Sequence, residues 1–396
     1  MANNLTALSP SLWSRLIAKD LRKKTIFRSV ASFAEQGTLS YGVDVDRPYR
    51  SALVAENYTK GSALSAQDLT AISDKLTINK QKGILAYCDS VDKIQNSYDA
   101  ALVWSKEMAL QLAIIQDAEF LYEVRDAANS VDDGDLGGTP GNSVNLQTSN
   151  IDAVFGRAAR ELDVANVGLG DRFAAISPQT FDVLWNRIAG KESILGDKTS
   201  ESGMVGRYRG FDLYLSNNLT ASVRITPNVN PINAETLVIN GVTFTFVNSI
   251  GSAPGNVLQT TDTASTIDNL VALINAGDVG DGVLSVSLSD ANKKVLQGWV
   301  AVDGTTYLDV YAKGASYMTC SDTANITYSR YAQHNMFGKK GAVDMVIQKE
   351  PSVEMSDMLS AGKFGKNIGA LTVFGVKTFH KGLSELVDVL IDSSVF

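Results

Sequence analysis

Fifty consecutive residues of this chain, between Gly83 and Gly134, contain neither glycine nor proline. Nothing in this stretch breaks a helix or lets the backbone turn at low cost. Apolar residues recur there at three- and four-residue steps, with charged residues between them. These apolar positions are Ile94, Tyr98, Ala101, Leu102, Met108, Ala109, Leu112, Ile115 and Tyr122. The pattern predicts one amphipathic helix from about Asp89 to Asn129, with Asp89 or Ser90 as its N-cap.

The length of this helix constrains the architecture of the whole chain. At 1.5 Å per residue, about forty helical residues would span roughly 60 Å. One compact core cannot cover such a length, so we expect the helix to be a spine that carries separate lobes. A chain of 396 residues also favours two or three lobes.

The sequence gives no signal for a membrane or for secretion. It has no run of eighteen apolar residues, and its N-terminus lacks a charged segment followed by an apolar one. Its two cysteines, Cys88 and Cys320, follow no metal or redox spacing. We interpret them as small apolar side chains in a reducing compartment.

The N-terminal segment is basic, whereas the rest of the chain is acidic. Residues 11–28 carry a net charge of +5, in a chain whose net charge is −8. Ser9-Pro10 is typical of a helix start, and apolar residues from Leu12 to Leu21 form a stripe. This arm either packs on the protein's own surface or attracts acidic proteins or packaged nucleic acid. Its candidate contact residues are Trp13, Arg15, Lys19, Arg22, Lys23 and Lys24.

From Phe33 to Tyr87 the apolar pattern changes to the two-residue period of strands. Residues 39–45 and 76–78 alternate in this way, and a long polar segment, 47–70, joins them. A two-stranded arm cannot bury both of its faces, so we expect it to lie against another subunit. Its candidate contact residues are Arg47, Tyr49, Arg50, Tyr58 and Lys60.

After the spine, helices and strands alternate, which predicts a small α/β lobe. We expect helices at 151–164 and 179–188 and strands at 173–176 and 211–216. Further on, His334 to Pro351 is predicted to be a helix followed by a strand. The last predicted strands, 369–380 and 386–391, could pair with others near the spine.

Between about Ala221 and Arg330 the composition shifts to Thr, Asn, Gly and Val. This composition predicts short strands, and Asn240-Gly241 is a strong signal for a hairpin with a type I′ turn. Further strands are expected at 283–288, 295–302 and 307–312, and a helix at 266–276. The block is predicted to be a self-contained, mainly β insertion.

No catalytic or metal motif is complete. Asp132, Asp133 and Asp135 lack the bidentate Glu that a calcium loop requires. His334 and His380 have no Cys, His or carboxylate at metal spacing. No nucleophile elbow or phosphate-binding loop is present in the sequence. We therefore predict a protein that is not an enzyme and has no cofactor or metal.

Four segments occur in an order that resembles a known family. They are DRFAAISPQTFDVLW (171–185), GMVGRYRGFDLYLSNNL (203–219), HNMFGKKGAVDMVIQ (334–348) and FGVKTFHKGLSELVDVLI (374–391). Together with the basic arm, the β-arm and the spine, this order is similar to that of tailed-bacteriophage major capsid proteins, which have the Hong Kong 97-type fold. The hairpin and helix at 235–276 also resemble a module of phage structural proteins.

The resemblance implies an α+β fold with named parts. These are the N-terminal arm (1–36), the E-loop (37–82), the spine helix and P domain (83–144), the A domain (145–220), the inserted mainly β domain (221–330), a return to the A domain (331–360) and the C-terminal strands of the P domain (361–396).

It also implies what the protein does. Copies would self-assemble into hexamers and pentamers of an icosahedral head that encloses double-stranded DNA. The other implied partners are a scaffolding protein and a portal, with no membrane, and the virion would be assembled in the host cytoplasm. Some family members crosslink through a Lys in the E-loop. Lys60 lies in the middle of that loop, but no motif identifies its partners.

Three other functions fit parts of the sequence. An encapsulin-like nanocompartment shell would share the fold without packaged nucleic acid. A phage neck, tail or decoration protein would contain the module at 235–276 without the spine and long E-loop. A secreted carbohydrate-binding β-protein would explain the block 221–330 alone.

Overall fold

The computed structural model describes residues 23–38, 42–50, 53–91, 100–189, 206–276, 283–322, 325–358 and 362–393. The helices in these ranges are α1 (Phe27–Val30), α2 (Ala100–Tyr122), α3 (Ile151–Val164), α4 (Pro178–Ala189), α5 (Thr263–Ala276), α6 (Asp290–Val295) and α7 (His380–Ser384). Their strands are β1 (Asp44–Arg50), β2 (Ala71–Thr77), β3 (Lys80–Asp89), β4 (Asn129–Val131), β5 (Arg172–Ile176), β6 (Arg207–Tyr208), β7 (Phe211–Leu215), β8 (Thr220–Pro227), β9 (Thr236–Ile239), β10 (Val242–Val247), β11 (Asn256–Leu258), β12 (Trp299–Asp303), β13 (Leu308–Ala312), β14 (Cys320–Asp322), β15 (Ile326–Lys339), β16 (Asp344–Asp357), β17 (Gly365–Lys377) and β18 (Leu386–Asp392).

The predicted spine is present as α2, but it ends earlier than expected. Asp89 caps a helical turn, because its Oδ1 accepts the N–H of Val91 at 2.8 Å. Residues 92–99 of the predicted helix lie outside the described residues. After Tyr122 a 3₁₀ turn replaces the α-helix, and Ala128 donates its N–H to the carbonyl of Leu383 at 2.8 Å. Long-range partners therefore end the helix before Asn129.

A three-stranded antiparallel sheet, in the order β16-β17-β3, lies along the spine. Met108 and Leu112 of α2 pack against Ile368 and Ala370 of β17. Alternate residues of β17 lie on the same face of the sheet. On this face they pack against the apolar stripe of the helix, so the face is buried. β16 occupies an edge of this sheet and pairs with β17 beside the spine.

A nine-stranded sheet forms the centre of the molecule, in the order β12-β13-β8-β15-β5-β7-β6, with β18 paired to β15 and β4 paired to β18. Its longest strand, β15, pairs with β8 along its first part and with β5 and β18 further on. The helix predicted at the start of residues 334–351 is therefore wrong, because β15 continues through Lys339. Strands on both sides of this segment satisfy its backbone groups, which outweighs its local helical pattern.

The block 221–330 has its own core and also shares this sheet. One hydrophobic cluster consists of residues between Ala221 and Ile326, and helix α5 closes it. Asn240 (φ 45°) and Gly241 (φ 80°) form the predicted turn between β9 and β10. Strands β8, β12 and β13, however, belong to the nine-stranded sheet. The predicted strand 283–288 is reduced to a single bridge between Ser285 and Val257.

The predicted β-arm is a ribbon of β1 and β2, paired from Asp44↔Thr77 to Arg50↔Ala71. Its first strand runs through Arg50, so it covers the first residues of the segment that was expected only to link the two strands. Residues 39–41, where the alternating pattern began, lie outside the described residues.

Candidate assembly surfaces

The root of the ribbon is fixed to the body by Arg47. Its guanidinium contacts Asp344 (Nη1 to Oδ2, 2.9 Å) and Glu35 (Nη2 to Oε1, 2.7 Å), and it lies 4.0 Å above the ring of Phe379. Asp344 also accepts the hydroxyl of Ser32 at 2.7 Å. Arg47, which had been predicted to contact another subunit, is thus occupied by partners in its own chain.

Tyr49 makes a second contact of the same kind. Its ring stacks on that of His380, with centroids 4.2 Å apart and an interplanar angle of 5°. Tyr49 and Arg47 lie on the half-buried face of β1, while Arg50 is exposed. Two-residue alternation therefore turns one side of the ribbon root to the body and leaves the other side free for a partner.

Beyond the root, the arm is exposed along its length. Every residue from 53 to 73, including the predicted contact residues Tyr58 and Lys60, is exposed in the single chain. The large apolar side chains among them are Leu53, Val54, Tyr58, Leu64, Leu69 and Ile72, each at least half exposed. Val54 and Gln67 join the two limbs, since the N–H of Val54 donates to Oε1 of Gln67 at 3.0 Å. Exposed apolar clusters of this kind are typical of interaction surfaces.

The basic arm meets the body at α1. Ile26 and Phe27 donate their N–H groups to Oδ1 of Asp117 on the spine, at 2.8 and 2.9 Å. Lys23 donates to the carbonyl of Gly314, and Lys24 is exposed. The predicted contact residues Trp13, Arg15, Lys19 and Arg22 lie outside the described residues.

The sequence reasoning missed a second apolar surface, on the outer face of the three-stranded sheet. Leu85 is 72% exposed, and Met355 and Leu371 are also exposed beside it. They line an open depression of about 400 Å³. The signal was present in Ile84-Leu85, because two consecutive apolar residues in a strand place one on each face of the sheet.

A buried histidine forms hydrogen bonds that link strands of the nine-stranded sheet. His334 contacts Asp388 (Nδ1 to Oδ2, 2.7 Å) and Ser222 (Nε2 to Oγ, 3.0 Å), all three more than nine-tenths buried in the nine-stranded sheet. This serine–histidine–carboxylate network joins three strands.

In addition, burial and the nearby Asp126 raise the pKa of Glu123 to about 7.

The aspartates after the spine have a structural role. Asp132 and Asp135 form a reciprocal capping box on the 3₁₀ turn Asp133–Leu136. No group of three or more metal-ligating side chains occurs within the described ranges. None of the helices in those ranges is long and apolar enough to cross a membrane.

Solved structures share this architecture over nearly the full chain. A structure from Mycobacterium phage Che8 aligns with a TM-score of 0.59 at 15% identity, covering 96% of each chain. The capsid of cyanophage P-SCSP1u aligns with a TM-score of 0.56 at 13% identity, covering 100% of this chain and 96% of that one. This chain has the fold of a phage capsid protein. The capsid of a native GTA particle shares the capsid-protein fold, with a TM-score of 0.52 at 10% identity over 99% of both chains.

Sequence comparison gives no such match. No protein-family model matches the chain, and no curated protein matches it. The likeness to these capsid structures is therefore one of fold, at 10–15% sequence identity. This agrees with the resemblance seen in the order of short motifs.

Proposed function

We propose that this chain is the major subunit of a phage head with the Hong Kong 97-type fold. Copies assemble as hexamers and pentamers into an icosahedral shell that encloses double-stranded DNA. The observation that carries this proposal is the arm, in which every residue from 53 to 73 is exposed although six of its side chains are large and apolar. Apolar surface in water is unfavourable by about 25 cal/mol per Å² until another surface covers it.

The outer face of the three-stranded sheet is the surface that we expect the arm of a neighbouring copy to cover. Leu85, Met355 and Leu371 offer an apolar depression of about 400 Å³ there. Each limb of the arm, about nine extended residues, reaches roughly 30 Å. That reach suits contacts between neighbours in a shell, where many modest contacts add up.

The same proposal assigns the spine and the sheets to domains of the Hong Kong 97-type fold. The spine and the three-stranded sheet form the P domain, and β16 belongs to it. The nine-stranded sheet forms the A domain, which the block 221–330 extends. The acidic body would keep packaged DNA from adhering to most of the wall, while the basic arm would contact neighbouring subunits or a scaffolding protein. A portal completes the virion, which assembles in the host cytoplasm.

The chain expressed alone tests this proposal, by negative-stain microscopy and mass photometry. We expect closed shells or capsomers from the natural sequence. The variant Leu53→Ser/Val54→Ser/Leu69→Ser should remain a folded monomer, because it loses the apolar anchors. Ser62→Ala/Ser65→Ala changes polar residues of the same arm and should assemble normally.

Two outcomes would contradict the proposal. One is a natural chain that stays a compact monomer at millimolar concentration, with the arm protected from proteolysis. The other is normal shell formation by the triple serine variant. Particles from infected cells that contain no nuclease-protected DNA would instead indicate a nanocompartment shell.

A further inference from the structure

A cavity of about 440 Å³ lies where the block 221–330 meets the spine and the three-stranded sheet. It is lined by charged groups from all three parts, so neither the block nor the spine alone forms it. The charged residues that line it are Lys82 of β3, Glu119 of α2, Lys293 and Lys294 of α6, and Lys313 after β13.

Four ammonium groups therefore line this cavity together with one carboxylate. The carboxylate is already paired, because Oε2 of Glu119 contacts Lys313 at 2.7 Å and Lys80 at 2.8 Å. Burial lowers the pKa of Lys313, Glu119 counteracts this, and the nearby ammonium groups of Lys80 and Lys82 lower the pKa further. The site has an excess of positive charge in a chain whose net charge is −8.

Two of the lysines have no carboxylate partner within the described part of the chain, namely Lys82 and Lys294. Lys293 contacts only the 95% exposed Asp290 there, at 3.6 Å. Like charges that line one cavity repel each other, and a bound anion relieves that repulsion. The charge of the cavity is thus complementary to a ligand that carries several negative charges.

The lining also indicates which kind of anion fits. The guanidinium fork of Arg binds carboxylate and phosphate alike through paired hydrogen bonds, whereas Lys binds an anion such as phosphate as a point charge, without selecting a planar group. This cavity has four lysines and no arginine in its lining. Trp299, its aromatic residue, is only 9% exposed and is not available for stacking on a base.

We propose that this cavity binds the phosphate groups of a polyanion without reading bases. The inference rests on the function proposed above, because the main source of phosphate would be the backbone of the enclosed double-stranded DNA. A free polyphosphate is the other source with the same chemistry. Bound phosphate would also hold the block 221–330 against the three-stranded sheet, because Lys82 comes from that sheet and the other lysines come from the block.

The test uses the full chain and a fluorescein-labelled 20-base-pair DNA duplex, followed by anisotropy at several salt concentrations. Lys82→Gln/Lys294→Gln removes two cavity charges. Lys366→Gln/Lys381→Gln removes two exposed charges elsewhere and is the charge-matched control. We expect the cavity variant to bind at least tenfold more weakly at 100 mM salt, with a salt slope smaller by about two, and the control to change less than twofold.

Mass spectrometry after lysine acetylation locates the site and separates the two sources. Tripolyphosphate and the duplex should each protect Lys82, Lys293 and Lys294, and neither should protect Lys366 or Lys381. Protection by tripolyphosphate alone would identify a free polyphosphate as the ligand. A poly-Glu peptide of equal charge should protect them less, and equal protection would overturn the phosphate assignment in favour of an acidic protein.

Equal loss of DNA binding in both double variants, or in neither, would overturn the inference. Circular dichroism and the thermal midpoint check that the cavity variant is folded, and Lys82→Arg/Lys294→Arg, which keeps the charge, should retain most of the binding. Failure here is distinct from failure of the shell proposal. Shell assembly is scored by microscopy, whereas phosphate binding is scored on the soluble chain whether or not shells form.

Discussion

Asp117 of the spine caps α1: its Oδ1 accepts the N–H of Phe27 at 2.9 Å, across 90 residues of sequence. The same oxygen accepts the N–H of Ile26, and Oδ2 accepts from Asn218 at 3.1 Å. Asp117 is fully buried, and this burial raises its pKa. One carboxylate thus fixes where the basic arm leaves the body.

Removing this cap should destabilise the chain. Asp117→Ala leaves two backbone N–H groups without a partner, and we expect a loss of about 2 kcal/mol in the free energy of unfolding. Urea denaturation of the unassembled chain measures it. Asp290→Ala, at a 95% exposed carboxylate, should change stability by less than about 0.5 kcal/mol. Equal effects of the two substitutions would show that the cap has no special role.

Glu123 should make stability depend on pH. Burial and Asp126 raise its pKa from 4.5 to about 7, although its Oε2 accepts the N–H of Thr378 at 3.1 Å. The folded state therefore holds the proton more tightly than the unfolded chain. This contribution is fully present below pH 4.5 and is lost as pH rises through 7.

Glu123→Gln removes that pH dependence, since an amide is neutral at every pH. At pH 8 the variant should be more stable than the natural chain by at most about 3 kcal/mol, and at pH 4.5 the two should differ little. Thermal unfolding at both pH values is the measurement. Glu56→Gln, on the exposed arm, is the control. A variant that is less stable at pH 8 would show that Glu123 is charged in the folded state.

The ribbon should loosen when Arg47 is removed. Arg47→Ala leaves the buried Asp344 without its cation, a loss of about 3 kcal/mol. Hydrogen exchange in 44–50 and 71–77 should accelerate by about two orders of magnitude, as this energy predicts for local opening. Arg50→Ala, three residues along on the exposed face, should leave exchange unchanged. Normal protection in Arg47→Ala would place the anchor elsewhere, for example at the stacked rings of Tyr49 and His380.

The turn between β9 and β10 should be sensitive to a side chain at Gly241. Its φ of 80° is left-handed, although no atom lies near an added Cβ. Gly241→Ala should therefore lower stability by about 1 kcal/mol through backbone strain alone. Gly206→Ala is the control, since it has open space and no left-handed backbone. Thermal denaturation of both variants measures the cost of the strain, and an equal midpoint for the two variants would show that the turn is not strained by a side chain.

The sequence by itself determined the features that depend on near neighbours. Asn240-Gly241 gives a type I′ turn because both residues tolerate positive φ, and helices α3 and α4 follow their apolar periods within a residue or two. The exposed arm was also predictable, because a polar and extended ribbon cannot bury itself. The fold family followed from the order of such local features.

Only the tertiary structure decided what depends on distant residues. His334–Lys339 is a strand because β5, β8 and β18 take up its backbone groups, and the spine stops at Tyr122 because later segments bind the chain beyond it. Arg47 anchors the ribbon to the body because Asp344, 297 residues away, lies beside it. The charged side chains of the cavity, likewise, come from the sheet strand β3, the spine and the block 221–330. Periodicity and turn preference act within a few residues, whereas strand pairing, burial and charge clustering arise only when the folded chain brings distant residues together.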